Sequence, residues 1–331
     1  MSAQPPKPPA AIAMKTRLQT SPDTADTADT ADAAVVRAAI VPAAGLGTRL
    51  APLSLGCPKE LLPLGSYPAL TACLLELAAA DLVDLVLVSS PQKPGLRRFC
   101  DSLDRWADST DPTSSPTAAL VALWHRLRVR VVDQPRPLGV LDAVEWGLRA
   151  LALALALDPG ASQAAVAVLF PDLLHLPDQT ALSHLCSAHR QTGRAVFGLR
   201  RAQPDDRPGS TLAVRLAAPF CDLPTADLPL STPLPIVGLQ PACGHPGELL
   251  TTFGQVQTPA WNQALDRHGR DADTGTLQDA GFLSALNALA AEAGLFGTLI
   301  PGQILDLGTL SGYAAAVQRF SVASSRLRDV P

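Results

Sequence analysis

The sequence lacks the features that mark several large classes of protein. Its 331 residues hold 26 Lys and Arg against 30 Asp and Glu, with a net charge of −4 and no basic stripe interleaved with aromatic residues. This balance argues against a nucleic-acid partner. The longest apolar run, LALALALDP from Leu151, is far shorter than the roughly 20 residues that span a bilayer, and no apolar segment of signal-peptide length opens the chain. We therefore expect a cytoplasmic protein that binds neither nucleic acid nor membrane.

Paired cysteines and aromatic residues are also scarce. The 6 cysteines never form a CxxC pair, so the sequence offers no thiolate zinc site and predicts reduced thiols. Aromatic residues make up 4% of the chain and apolar residues as a whole 47%, so the core must be built from Leu, Ala and Val. The length is sufficient for one large or two modest domains.

The first 34 residues differ in composition from the rest of the chain. They are rich in proline and then repeat as TADTADTADAA. Such a tract cannot bury enough apolar surface to offset the entropy lost on ordering. We expect residues 1–34 to be a disordered tail and residues 35–331 to form one domain, in which the polar stretch ADSTDPTSSPTA is predicted to be a mobile insertion.

Beyond the tail, short apolar runs alternate with amphipathic stretches. The runs VVRAAIV, DLVLVSS, RVRVVD and AAVAVLF are predicted to be strands, and residues 69–80, 141–157, 181–191 and 277–293 have helical patterns. This alternation predicts an α/β fold, with a mainly parallel sheet between layers of helices and a ligand site at the carboxyl ends of the strands. Residues 202–233 are expected to add irregular or antiparallel structure, and residues 297–320 a short strand, an acidic turn and a closing helix.

The loop after the first strand gathers two glycines and two cations. In IVPAAGLGTRLAPLSLGCPKELLPL, Gly45 and Gly47 permit positive φ and close backbone approach. Successive amides in such a turn form a concave donor surface for phosphate. A dinucleotide fingerprint would need glycine in place of Leu50, and a P-loop would need a Gly-Lys-Ser/Thr ending. The alternative is a tight turn with solvated Arg49 and Lys59.

The whole segment resembles the signature of sugar-1-phosphate nucleotidyltransferases, and most of all UTP–glucose-1-phosphate uridylyltransferases, which carry Gly-x-Gly-Thr-Arg and then Pro-Lys-Glu-Leu/Met-Leu-Pro. The resemblance implies a Rossmann-like three-layer nucleotidyltransferase fold with a mixed, mostly parallel sheet and a small β extension. It implies transfer of a nucleotidyl group from an NTP to a sugar 1-phosphate, with UTP and glucose 1-phosphate as substrates. It also implies two catalytic cations, Arg49 and Lys59, and a nucleotide-binding set of Ala44, Gly45, Leu46, Gly47 and Thr48.

Two aspartates follow apolar runs farther along the chain. Asp172 stands in VLFPDLL and Asp306 in ILDLGT, positions where an aspartate is often only a turn former or a helix cap. The stretches PDLL and DLGTLSGY resemble those that supply the two metal ligands of the family. The resemblance therefore implies a Mg²⁺ cofactor held by both aspartates and substrate phosphates, as Mg²⁺ sites commonly are. The histidines His175, His184 and His189 are predicted to be ordinary surface or helix-end residues.

Two further stretches resemble the family less closely. VVDQPRPLGVLDAV implies nucleotide contacts from Gln134 and Gly139, but Leu141 replaces a glycine of the family pattern. The positions assigned by resemblance to the sugar phosphate are Gly198 and Gln240, and Gln240 stands where the family carries a lysine. A neutral amide in place of such a charge-assisted contact loses about 1–3 kcal/mol, or tenfold to hundredfold in affinity.

This replacement leaves two functions open. The chain is an enzyme with another acceptor, whose phosphate is bound by a different cation such as Arg194, Arg200 or Arg201, or it is a non-catalytic, nucleotide-binding regulator that has lost sugar-phosphate binding. The presence of both cations and both aspartates of the triphosphate half favours the enzyme. Its expected partners are an NTP and a sugar 1-phosphate, and family analogy makes a homo-oligomer possible.

Overall fold

A computed structural model describes residues 35–106, 116–155, 165–176, 180–203, 206, 211–230, 232–245, 247–270 and 279–323 of the chain. The predicted tail, residues 1–34, lies outside the described residues, as do residues 107–115 of the polar insertion. The predicted helices over 141–157 and 277–293 are described except for residues 156–157 and 277–278.

Within the described residues the chain forms thirteen strands. They are β1 (Val36–Pro42), β2 (Pro63–Leu64), β3 (Tyr67–Pro68), β4 (Asp84–Ser89), β5 (Arg128–Asp133), β6 (Ala165–Leu169), β7 (Leu173–Leu176), β8 (Ala195–Arg201), β9 (Leu212–Leu216), β10 (Leu234–Pro241), β11 (Leu249–Gln257), β12 (Leu295–Leu299) and β13 (Gln303–Asp306).

The same part of the chain forms nine α-helices. They are α1 (Leu53–Gly56), α2 (Leu70–Ala79), α3 (Pro94–Trp106), α4 (Pro116–His125), α5 (Val140–Leu155), α6 (Ala181–Thr192), α7 (Pro259–His268), α8 (Asp279–Glu292) and α9 (Leu310–Ala323). Short 3-10 turns cover Thr48–Leu50, Lys59–Leu61 and Phe220–Asp222. None of the described helices has the length and apolar character needed to cross a bilayer.

Nine strands form one mixed sheet in the order β5-β4-β1-β6-β11-β8-β12-β10-β9. The first four strands are parallel to one another, and β8 is parallel to β12. The chain leaves β1, crosses to β4 and then to β5, and returns to place β6 on the other side of β1. Such a reversal of strand order is where open α/β sheets bind ligands, so the loops after β1 and β6 are the ones of interest.

Helices cover both faces of this half of the sheet, because its strands are apolar on both faces. Ala39 and Val41 of β1 belong to the core shared with α2, α3, α4 and α6, whereas Ala38 and Ile40 pack with α5. In α5, a Cβ on Gly147 would lie only 2.6 Å from Ile40 Cγ2, so the missing side chain lets the helix lie close to the strand. These contacts form the predicted three-layer arrangement.

The second half of the sheet contains the antiparallel extension. β11 pairs antiparallel with β6 and β8, and β10 pairs antiparallel with β12 and β9. A further pairing of Leu250 with Ala213 joins β11 to β9, so five strands close into a ring. Trp261 of α7 packs edge-on against Phe197 of β8, with 5.2 Å between ring centroids, in a second core that α8 completes. The prediction that residues 202–233 add irregular or antiparallel structure is confirmed for the described part of that range, which contains β9 and a 3-10 turn.

One small sheet differs from the prediction for residues 297–320. These residues contribute the end of β12 and the whole of β13 before α9, rather than a single short strand. β13 does not join the main sheet; it pairs antiparallel with β7. Pattern alone could not distinguish these cases, because a four-residue strand such as β13 does not specify its partner strand.

Candidate active site

The small sheet brings the two predicted metal-binding aspartates together. Asp172 lies between β6 and β7, and Asp306 is the last residue of β13. In the β7–β13 ladder, Asp306 is opposite Leu173, and the backbone N–H of Leu307 donates to the backbone oxygen of Asp172 at 2.6 Å. Asp172 therefore reaches the site from the main sheet and Asp306 from the strand beside it.

The two predicted cations meet these carboxylates. Lys59 Nζ lies 2.6 Å from Asp172 Oδ2, with both side chains mostly buried, and Arg49 Nη1 lies 3.6 Å from Asp306 Oδ2. A Cβ built on Gly308 would lie 2.8 Å from Asp306 Oδ1, 2.9 Å from Arg49 Nη2 and 3.3 Å from Asp172 Oδ2. Arg49, Asp172 and Asp306 thus lie beside one glycine, and Lys59 joins them through its ion pair with Asp172. We call Arg49, Lys59, Asp172 and Asp306 the charged cluster.

The charged cluster holds two carboxylates that repel each other, together with two cations that oppose that repulsion. Partial burial and the neighbouring carboxylate of Asp172 raise the pKa of Asp306, although the N–H of Gly308 and the charges of Arg49 and Lys59 oppose that shift. A bound divalent cation would relieve the repulsion between the carboxylates. Two carboxylates, completed by phosphate oxygens of a substrate, would form a hard donor set that suits Mg²⁺. The described residues contain no group of three or more His, Cys, Asp or Glu placed to hold a metal, so the remaining ligands would come from substrate and water.

Beside this cluster, the loop after β1 presents a row of unpaired amides. Within the described residues, the backbone N–H groups of Ala44, Gly45, Leu46 and Gly47 have no hydrogen-bond partner. Gly47 has φ +69°, a left-handed conformation that leads into the 3-10 turn of Thr48 and Arg49. Consecutive free N–H groups in such a turn form an anion-binding surface. The loop can therefore hold phosphate, as the two glycines predict.

A buried ion pair beneath this loop was missed by sequence reasoning. Lys93, in the loop between β4 and α3, donates to the backbone oxygens of Ala43 and Gly45 at 2.7 and 2.9 Å, and to Glu60 Oε2 at 2.5 Å. Glu60 follows Lys59 directly, so one lysine joins two segments of the site. Nothing in the pattern SSPQKPG indicates a buried cation, since lysine is almost never fully buried. The only available signal is that Lys93 follows a strand at the carboxyl edge of the sheet.

The residues assigned to the base and ribose form a separate small arrangement. Gln134 is buried after β5, and its Nε2 donates to the backbone oxygen of Gly139 at 2.9 Å and to Asp142 Oδ2 at 2.7 Å. Leu141, which replaces a glycine of the family pattern, is only 7% exposed. Its side chain is therefore turned into the protein.

The two residues assigned to the sugar phosphate are not joined to the charged cluster. Gly198 lies in β8, where a Cβ would be 2.6 Å from the backbone oxygen of Thr252, so this glycine permits close strand packing. Gln240 is exposed near the end of β10 and lines a cavity of about 660 Å³ together with Arg215 and Glu248. No hydrogen bond or ion pair of the described residues links Gln240 to the cluster.

The alternative cations named from the sequence are mostly engaged elsewhere. Arg200 forms a bidentate pair with Asp206, and Arg201 donates to the backbone oxygens of Thr225 and Ala226. Arg194 precedes β8 and so lies at the opposite edge of the sheet from the carboxyl ends of the parallel strands.

The interpretation of the histidines as surface or helix-end residues was wrong for His175. His175 is buried in β7, with Nδ1 3.2 Å from Glu76 Oε1 and Nε2 2.6 Å from the backbone oxygen of Pro301. His189 lies in the last turn of α6 as predicted for a helix end, but it is fully buried and bonds through Nδ1 to the backbone oxygen of Arg194. Their polar partners are distant in sequence or belong to the backbone, so composition could not reveal them.

Comparisons with known proteins converge on one family. The sequence profile of the nucleotidyl transferase family matches residues 38–209. The chain is 27% identical over 176 residues to UTP–glucose-1-phosphate uridylyltransferase YngB of Bacillus subtilis, a match that covers 52% of this chain and 55% of that one. It is 28% identical over 178 residues to UTP–glucose-1-phosphate uridylyltransferase of Mycoplasma pneumoniae, covering 51% and 56%. The chain thus spans little more than half the length of these curated relatives.

Solved structures extend the likeness over most of the fold. A UDP-glucose pyrophosphorylase in complex with UDP-glucose superposes with a TM-score of 0.66 at 17% identity, covering 86% of this chain and 98% of that one. A UTP-bound UGPase from Acinetobacter baumannii gives a TM-score of 0.64 at 22% identity, covering 86% and 93%. The predicted three-layer nucleotidyltransferase fold is therefore confirmed.

Proposed function

Because this chain belongs to the nucleotidyl transferase family, we propose that it transfers a nucleotidyl group from an NTP to a sugar 1-phosphate and releases pyrophosphate. The proposed nucleotide is UTP and the proposed acceptor is glucose 1-phosphate, the pair in the names of its curated relatives. The observation that carries the proposal is the convergence of two cations and two carboxylates beside a loop of unpaired amides. Such a site suits a substrate whose reacting part is a chain of phosphates.

In the proposed reaction, an oxygen of the sugar phosphate forms a bond to the α-phosphorus of the nucleotide. The bond from that phosphorus to the leaving pyrophosphate oxygen breaks in the same displacement. Negative charge is redistributed around the phosphorus, so catalysis depends on positioning and on fixed positive charge rather than on covalent chemistry. The side chain of Arg49 is 63% exposed and can turn toward the leaving pyrophosphate, whereas Lys59 is held by Asp172 and stays near the reacting centre.

The loop amides supply the complementary half of the site. The N–H groups of residues 44–47 point to no partner among the described residues and would bind phosphate oxygens of the nucleotide. Thr48 begins the 3-10 turn that orients Arg49, and Gln134 with Gly139 would flank the base and ribose. Mg²⁺, held by Asp172 and Asp306, would neutralise phosphate charge as the pyrophosphate departs.

A rival function rests on the position of Gln240. Because the family's lysine is absent there and the described residues show no link from Gln240 to the charged cluster, the alternative is a non-catalytic regulator that binds nucleotide but no sugar phosphate. If Gln240 contacts the acceptor, Gln240→Lys should tighten sugar-phosphate binding and leave NTP affinity unchanged. No change would mean that another residue binds the acceptor phosphate. A cytoplasmic location and a homo-oligomer also stay predictions.

Pyrophosphate release distinguishes the two functions. The purified chain is assayed with a panel of NTPs and sugar 1-phosphates, beside Lys59→Ala and a control, Arg105→Ala, which removes an exposed cation from α3. Turnover with one pair that is lost in Lys59→Ala but kept in the control supports the enzyme. Stabilisation by nucleotide without turnover for any pair would support the regulator.

A further inference from the structure

Lys93 is a lysine in an unusual environment. Its side chain is 5% exposed, and the side chain of its partner Glu60 is completely buried. Burial lowers the pKa of Lys93, and the charge and hydrogen bond of Glu60 oppose that shift. A buried ion pair of this kind is not in itself a strong source of stability, because apolar residues of similar volume often replace such pairs without loss. Packing alone therefore does not explain why the pair is here.

The hydrogen bonds of Lys93 fix the orientation of the loop after β1. Its ammonium group donates hydrogen bonds to the backbone oxygens of Ala43 and Gly45. In a planar trans peptide, the C=O and the following N–H point in opposite directions. Holding those two oxygens inward therefore turns the N–H groups of Ala44 and Leu46 away from Lys93, and within the described residues both are without a partner.

The third hydrogen bond of Lys93 fixes the segment that carries Lys59. Glu60 Oε2 accepts from Lys93, while Glu60 Oε1 is buried and has no partner among the described residues. The start of α3 adds a close packing contact, since a Cβ on Gly95 would lie 3.3 Å from Pro58 Cδ. Lys93 thus links three segments of the chain: the loop after β1, the Pro58–Glu60 segment and the start of α3.

We infer that Lys93 is a positioning residue for the nucleotide, which aims the amides of Ala44 and Leu46 at its phosphates and keeps Lys59 in register with them. Lys93 does this from beneath the loop, without touching the nucleotide. The inference rests on the proposed function, because it takes the loop to be the phosphate site. It adds a residue that acts through others and that belongs to none of the segments assigned from the sequence.

The experiment compares Lys93→Met, Glu60→Gln and the double variant with the wild type. Lys93→Met alone should lower the melting temperature, because it leaves the Glu60 carboxylate buried and unpaired. The double variant removes both charges, so its melting temperature should return close to that of the wild type. Its KM for NTP should nevertheless stay about tenfold or more above the wild-type value, because two loop oxygens still lack their donor. Its KM for the sugar 1-phosphate should change less than about twofold, a split that general loosening would not produce.

Arg105→Met serves as the control, since it removes an exposed cation from the same helix that Lys93 precedes, and both of its KM values should match the wild type. A double variant with a wild-type KM for NTP would overturn the inference, and so would an equal rise in both KM values. If the wild type shows no turnover but is stabilised by UTP, catalysis is refuted, and the UTP dissociation constants of the same variants test the inference instead. A wild type that neither reacts with nor binds any NTP overturns both.

Discussion

Replacing Gly308 with alanine tests the geometry of the charged cluster with a single added methyl group. The new Cβ would lie 2.8 Å from Asp306 Oδ1 and 2.9 Å from Arg49 Nη2, whereas ordinary contacts begin near 3.4 Å. Both groups must therefore move by about half an ångström. Asp306 also accepts the N–H of Gly308 at 2.7 Å, so its displacement strains a hydrogen bond that now orients the carboxylate.

The expected effect on catalysis is large relative to the size of the change. A misplacement of about 1 Å in an active site can cost on the order of a hundredfold in rate. Two groups displaced by about half that distance should lower kcat/KM by about tenfold to hundredfold, or about 1.4–2.7 kcal/mol of transition-state stabilisation.

The effect on folding should be small. Gly308 is not among the glycines with positive φ, so alanine fits its backbone and gains about 0.4–1 kcal/mol from the restricted unfolded chain. The side chains of Arg49 and Asp306 are partly exposed, so they can shift toward solvent. The melting temperature should therefore stay within about 3 °C of the wild type.

Initial rates of pyrophosphate release and a thermal melt measure both quantities on the same preparation. The matched control is Gly56→Ala, because a Cβ on Gly56 meets nothing within 4 Å and its φ is not positive. That variant should keep the wild-type rate. If Gly308→Ala retains activity within about twofold while remaining folded, Asp306 and Arg49 do not need their observed positions, and the proposed site is wrong.

Three further outcomes are expected. Asp306→Asn removes one of two carboxylates and should raise the Mg²⁺ concentration for half-maximal turnover by about tenfold or more; an unchanged Mg²⁺ titration would exclude Asp306 as a ligand. Burial alone would raise the pKa of Glu145, but hydrogen bonds from Arg270 and Arg149 hold it below its ordinary value. The stability from this carboxylate is therefore present above pH 4.5 and lost as the pH falls through the folded pKa. Urea unfolding should show that Glu145→Gln is about 1 kcal/mol less stable than the wild type at pH 7 and as stable as the wild type near pH 2. A difference in stability that stays constant with pH would contradict this. Gly198→Ala places a Cβ 2.6 Å from a backbone oxygen of β11 and should cost about 1–3 kcal/mol in the same assay; a stability equal to wild type would show that the strand can shift.

The first half of the fold is largely predictable from sequence patterns. The run RVRVVD becomes β5 with the predicted ends, and the helix predicted over 181–191 differs from α6 by one residue. These elements carry short apolar runs or clear helical periodicity, so local pattern and tertiary packing agree. The ring of strands in the second half is less predictable, because its closure depends on pairing between Leu250 and Ala213, which no local pattern specifies.

The candidate site is also predictable from the sequence only in part. The two glycines and the nearby cations indicate a phosphate-binding loop at Gly45 and Gly47. Only the family resemblance distinguishes Asp172 and Asp306 from other aspartates that follow strands. Lys93 escaped prediction because its role depends on burial and on two backbone oxygens from another loop. Acceptor recognition is the least predictable part, since the residue expected to be a lysine is Gln240 and its surroundings belong to the extension.

The ladder between β7 and β13 determines when the charged cluster can be completed during synthesis of the chain. A ribosome delivers Asp172 well before Asp306, because β7 to β12 lie between the two residues in the chain. A nascent chain that has already assembled β1 to β6 would present the amides and both cations with only one of its two carboxylates. The charged cluster can be complete only after β13 has been synthesised and has docked beside β7.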